Sequence, residues 1–108
     1  MKIPNYWIIP STTRAEKDLT TKINNLIKRV CESYEISDKE LMSKRRLAYI
    51  VRPRQIIMYI LRNDHKMTLE RIATLFNKNH ATIIHSVKSI ENMISYDKDL
   101  KNKVNYLR

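Results

Sequence analysis

The chain has 108 residues, 43% of them hydrophobic and 30% charged, with 21 Lys/Arg against 11 Asp/Glu and a net charge of +10. That length suits one domain with a modest core, and no apolar run is long enough to cross a bilayer. There is no glycine, which removes the Walker phosphate loop, the dinucleotide fingerprint and the glycine-flanked serine nucleophile, each of which needs glycine for a tight turn or close backbone approach. The reading is therefore not an enzyme, with no cofactor.

The opening residues MKIPNYWIIP carry one lysine and a short apolar patch without a small-residue cleavage site, so no secretory signal is expected. Residues 1–13 read as an extended arm, because Pro4 and Pro10 bracket Tyr6, Trp7, Ile8 and Ile9. Tyr6 and Trp7 either meet a protein partner or fold back onto the first helix. A helix over 13–34 follows, with Leu19, Ile23, Leu26, Ile27, Val30 and Cys31 recurring at steps of three and four. Cys31, the single cysteine, excludes an internal disulfide, suits a reducing cytoplasm and reads as core filler. Ser37 and Glu40 form a capping box for a short helix through Met42.

Charge then concentrates. Residues 1–43 hold seven Lys/Arg and six Asp/Glu (+1), whereas 44–108 hold fourteen and five (+9). Within 44–54 stand Lys44, Arg45, Arg46, Arg52 and Arg54 with no acid, the pattern of an anionic polymer as partner. The block lacks the aromatic and leucine face of a membrane-surface helix.

Beyond the block, Pro53 fits the first turn of a helix running to Arg62, with Ile56, Ile57, Ile60 and Leu61 as its buried side. Residues 63–67 connect it to a helix capped by Thr68, in which Leu69, Ile72, Ala73 and Phe76 face inward. Asn77 and Lys78 make a tight turn, Asn79 caps a helix over 80–95, and Asp97 caps a last helix carrying Leu100, Val104 and Leu107. At about 100° per residue, the helix after Asn79 groups Ile83, Ile84, Val87, Ile90 and Ile94 on one side. Ala81, Thr82, His85, Lys88 and Ser89 point the other way, a small polar face suited to a major groove. His80 projects nearer the apolar side, yet its place in the first turn lets it reach DNA. His80 and His85 lie about 140° apart on the wheel, which is wrong for a zinc pair, and no metal is expected.

Two segments, residues 43–55 (SKRRLAYIVRPRQ) and 79–91 (NHATIIHSVKSIE), resemble the C-terminal DNA-binding domain of the bacterial replication initiator family DnaA. K-R-R, then R-P-R-Q, then N-H-A-T-x-x-H at these separations is a specific signal, and the resemblance runs over roughly 23–107. It implies an all-α, compact domain with a helix-turn-helix (Trp repressor-like, or DnaA C-terminal domain-like) over 14–108. It also implies binding to a short, asymmetric, A/T-rich box, with the second helix in the major groove and a loop arginine in the minor groove. Carried over by position, Arg46 is the minor-groove arginine. Arg54 and Gln55 are a base or phosphate reader and its neighbour, His80, Thr82 and His85 are recognition-helix contacts, and Arg62 meets the backbone. Ala81 stands where the family usually has a second threonine, Asn79 replaces an aspartate, and the turn NKN lacks the usual glycines and is about one residue shorter.

The expected base-contacting set is therefore Arg46, Arg54, Gln55, His80, Ala81, Thr82 and His85, with Lys44, Arg45, Arg52, Arg62, Lys78 and Lys88 on phosphates. The resemblance also suggests a reader of initiator boxes without the family's ATPase domain, acting in the cytoplasm at the nucleoid as a monomer or weak dimer and modulating replication initiation. A small helix-turn-helix transcription regulator and an adaptor docking a replication protein through the Trp7 arm are the alternative readings.

Overall fold

The computed structural model describes residues 14–108, with side chains from residue 17 onward. The expected arm with Tyr6 and Trp7 lies outside the described residues. Six helices follow in chain order: α1 (Arg14–Tyr34), α2 (Asp38–Leu41), α3 (Ala48–Asn63), α4 (Leu69–Phe76), α5 (His80–Ile94) and α6 (Lys98–Leu107). The described residues contain no strand.

The amphipathic spacing of α1 does what it predicts: Ile23, Leu26, Ile27, Val30 and Cys31 are buried and Leu19 packs at the edge. The Cys31 thiol is pushed up to about 11, first by burial and then by the nearby Asp38 and Glu32 carboxylates. It is a packed side chain rather than a nucleophile at neutral pH. The capping box of α2 forms as expected, with Ser37 Oγ accepting from Glu40 N at 3.0 Å and Ser37 N donating to Glu40 Oε1 at 3.4 Å.

Helix α3 is the axis of the molecule, packed against α1, α2, α4 and α5. Six consecutive residues, Ile56 to Leu61, are buried, where the sequence predicts a single apolar side. Over this central stretch, helices on several sides leave no solvent face to keep polar, and the exposed residues of α3 lie toward its ends. Its start also differs from the expectation. Pro53 does not open the helix but lies inside it, five residues after Ala48. The first turn is held by Ile50 N and Val51 N, both bonded to Leu47 O at 2.9 Å, and by Ile50, which is fully buried. Burying such a side chain contributes about 1.5–3 kcal/mol, enough to extend a helix upstream of a proline.

Each later cap is where the local chemistry puts it. Thr68 Oγ1 accepts from Arg71 N at 3.1 Å, Asn79 Oδ1 from Thr82 N at 2.8 Å, and Asp97 Oδ1 from Leu100 N at 3.1 Å. Without glycine, helix exits use other residues in the left-handed region: Glu35 (φ 54°), Lys66 (φ 56°) and Asn77 (φ 53°). All three carry a Cβ that crowds the carbonyl there, and Asn tolerates it best because its short polar side chain can hydrogen-bond the local backbone. Asn77 ends α4 with its N–H facing the carbonyls of Ala73 and Thr74, and so sets the angle at which α5 leaves. The core formed by these helices includes Ile72, Phe76, Ile83, Ile90, Leu100, Val104 and Leu107.

Candidate nucleic-acid interface

The five cations of residues 44–54 do not form one loop. Lys44, Arg45 and Arg46 are exposed in the segment between α2 and α3, whereas Arg52 and Arg54 belong to α3. Two residues apart on a helix point about 160° apart, so those two arginines part company. Arg52 lies in the field of the Tyr34 hydroxyl on α1. Arg54 turns back under the loop.

Arg54, expected as a reader of bases or phosphate, is only 6% exposed. Its Nε donates to Leu41 O at 2.9 Å, and its Nη2 donates to Ser43 O at 2.8 Å and Arg45 O at 3.4 Å. The guanidinium thus gathers the last carbonyl of α2 and two carbonyls of the loop. The loop is tightened further by Ser43 Oγ, which donates to Glu40 O at 2.7 Å and accepts from Arg45 N at 3.4 Å. Burial holds the Arg54 pKa below the usual arginine value.

A cleft opens on the outer side of this clamp. It is lined by Ser43, Lys44, Arg46 and Arg54 from the loop and α3, and by Phe76, Asn77 and Lys78 from the end of α4 and the turn into α5. The basic loop and the turn that starts α5 therefore share one surface. The Lys78 ammonium is held below the ordinary lysine value, chiefly by burial, then by the charges of Arg54, Arg46 and Lys44. Among the described residues no carboxylate makes a salt bridge with any of these cations. Repulsion within such a cluster is relieved by an arriving anion.

Beside the cleft, α5 presents His80, Ala81, Ile84, His85 and Lys88 to solvent, with Thr82 and Ser89 half-buried. Ile83, Ser86, Val87 and Ile90 face the core. One sequence expectation fails here: Ile84, assigned to the apolar side, is 40% exposed. On the wheel it lies about 100° from Ile83 but only about 40° from Lys88, a signal that counting isoleucines obscures. The exposed face of α5 is accordingly less polar than the sequence suggests, with the methyl of Ala81 and the branched chain of Ile84 on the same side as the imidazole of His85. Thr82 carries a further constraint. Its Oγ1 donates to Asn79 Oδ1 at 2.9 Å, leaving lone pairs and a methyl for an outside partner.

The remaining expected residues lie apart from the cleft. Arg62, eight residues after Arg54 on α3, donates through Nη1 to Met67 O at 2.8 Å just before the Thr68 cap, and remains exposed. Gln55 is half-buried and does not line the cleft. No helix among the described residues is long and apolar enough to cross a membrane. No group of three or more His, Cys, Asp or Glu among them could hold a metal ion.

Two helices joined by a short left-handed turn, the second carrying an exposed face next to a cationic loop, define a helix-turn-helix module. The family described as the bacterial dnaA protein helix-turn-helix matches residues 23–90, and this chain belongs to that family. The part matched is a helix-turn-helix, not an enzyme. Among relatives, the chromosomal replication initiator protein DnaA of Wolbachia sp. subsp. Brugia malayi is 39% identical over 80% of this chain and 19% of its own. That of Rhodopseudomonas palustris (strain HaA2) is 33% identical over 88% of this chain and 20% of its own. The chain thus spans about a fifth of the length of these curated relatives. A crystal structure of a DNA replication initiation factor superposes with a TM-score of 0.69 at 26% identity, over 86% of this chain and 30% of that one. AMPPCP-bound DnaA from Aquifex aeolicus matches in fold with a TM-score of 0.68 at 24% identity, over 87% of this chain and 28% of that one.

Proposed function

We propose that this module binds double-stranded DNA sequence-specifically at DnaA-box-like sites and through that binding modulates the initiation of replication. The observation that carries the reading is the shared cleft, in which Lys44 and Arg46 of the loop face Asn77 and Lys78 at the entrance to α5. A duplex laid across it offers its major groove to α5 and the adjacent minor groove to Arg46, while phosphates neutralise Lys44, Arg45 and Lys78. Lys88 and Arg62 extend that grip along the backbone.

Base reading then falls to Arg46, His80, Ala81, Thr82 and His85. Ala81 and Ile84 supply methyl groups that match the C5-methyl of thymine, in keeping with an A/T-rich site. The inward-donating Thr82 hydroxyl accepts from outside, which suits an adenine or cytosine amino group over a carbonyl oxygen. Selection of bound duplexes from a random pool tests the reading. Recovery of one asymmetric A/T-rich motif resembling a DnaA box is the expected result. Enrichment of no motif, with binding that tracks only total polyanion, overturns it.

A further inference from the structure

We infer that Arg54 is a positioning residue: it sets sequence preference by fixing the loop that carries Arg46, and holds no phosphate or base itself. The inference rests on the DNA-binding reading proposed above. Its ground is the donor count of one guanidinium. Arginine grips a phosphate or a guanine edge through two N–H groups on one side of the fork. In Arg54 the Nε hydrogen goes to Leu41 O, and Nη2 serves both Ser43 O and Arg45 O. Both two-pronged edges include Nη2, which already serves two carbonyls, so no two-pronged grip is left for DNA and only single bonds from Nη1 remain.

What those bonds achieve is equally specific. The acceptors are the carbonyl of Leu41, the last residue of α2, and those of Ser43 and Arg45 in the segment outside any helix from Met42 to Leu47. A loop without secondary structure must find donors for its inward carbonyls elsewhere. Arg54 supplies two such bonds from the buried wall of α3 and a third to the open end of α2, and Arg46 follows directly after the last clamped residue. A lysine carries the same charge as a compact ammonium on a flexible stem, and does not reproduce a planar fork spread over three carbonyls. Charge is retained in the process. With no carboxylate in an ion pair, the buried cation still adds to the field felt by Lys78.

The test compares Arg54→Lys and Arg54→Met with the unaltered chain on a selected duplex and on a scrambled one. Binding is followed by fluorescence anisotropy across a salt series, at a temperature where circular dichroism reports the helices intact. The expected result is a loss of about tenfold or more in the preference for the selected duplex in both variants. On scrambled DNA the salt slope of Arg54→Met stays unchanged. In an Arg46→Ala background the same Arg54→Lys change has little further effect on preference, since it acts through that side chain. Preserved preference in Arg54→Lys, or a salt slope lowered by about 0.9 in Arg54→Met, overturns the inference and makes Arg54 a phosphate contact. Amide exchange in the free protein separates this from failure of the DNA reading itself. If the unaltered chain prefers no duplex, that reading falls. Faster exchange at residues 43–46 in Arg54→Lys, with α5 protection unchanged, still supports the loop-fixing role, and unchanged loop exchange sinks it.

Discussion

The two ends of α3 are both rich in cations, yet they treat charge in opposite ways. Near its C-terminus, Arg108 closes a two-pronged pair on Asp64, with Nη2 to Oδ1 at 2.6 Å and Nε to Oδ2 at 2.9 Å, and lies 5.8 Å from the centre of the Tyr59 ring. Near its N-terminus, Lys44, Arg46, Arg54 and Lys78 crowd one cleft and make no salt bridge with any described carboxylate. Paired charge joins the end of the chain to the end of α3; unpaired charge waits for something from outside. Net charge alone does not make that distinction, because both ends add cations to the total.

Replacing Arg46 or His85 with Ala probes the unpaired end most severely. Each is expected to lose about 1–3 kcal/mol on a selected duplex while the melting temperature stays nearly constant, since both side chains are exposed. Equal losses on scrambled DNA, read by anisotropy, would reduce these residues to backbone grips.

Lys78 gives a smaller and more diagnostic effect. The Lys78→Ala change should weaken all sequences alike and lower the salt slope by about 0.9. Its ammonium sits below the ordinary value in the free protein, and a phosphate raises it again. Binding therefore takes up a proton at high pH, and affinity falls as pH rises through the lowered free-state value, earlier than for an unperturbed lysine. Lys78→Arg should abolish that early fall in a pH titration of binding; persistence of the fall would assign it to another group.

At the paired end the effects are on folding alone. Lys66→Gly relieves a left-handed residue after α3 and should stabilise by about 0.5–1 kcal/mol, the steric relief less the added chain entropy, as read by urea melts. Asp64→Asn should cost about 0.2–1 kcal/mol, because the pair is partly exposed and screened, and should leave DNA affinity untouched. The Arg108 hydrogen bond holds the Asp64 carboxyl below its ordinary value. Its contribution is therefore complete above the unfolded value of about 3.9 and vanishes as pH drops through the lower folded one. An acid melt in which Asp64→Asn and the unaltered chain lose stability in parallel would remove Asp64 from the account.

How far the sequence reaches depends on distance along the chain. Caps at Ser37, Thr68, Asn79 and Asp97 are legible because donor and acceptor are three residues apart. The buried stripe of α1 is legible because one face of it meets the core. The direction of Arg54 is not, since its acceptors lie up to thirteen residues upstream and become neighbours only after α2 packs on α3. Reading 44–54 as one cationic block also presumed a loop; once residues from Ala48 onward are helical, Arg52 and Arg54 separate. Ile84 was misjudged for the opposite reason, an apolar type outweighing its angle on the wheel. The family itself was legible in residues 43–55 and 79–91, where the motif spacing holds.

Pro53 gives α3 a built-in seam. Having no N–H, it leaves the Tyr49 carbonyl without its usual rung. Ile50, fully buried just upstream, makes up for that missing rung by anchoring the opening turn in the core, and Arg54 follows one step beyond the proline. The cation-bearing strap is thus moored from below by a side chain that leaves the helix just past its one missing rung.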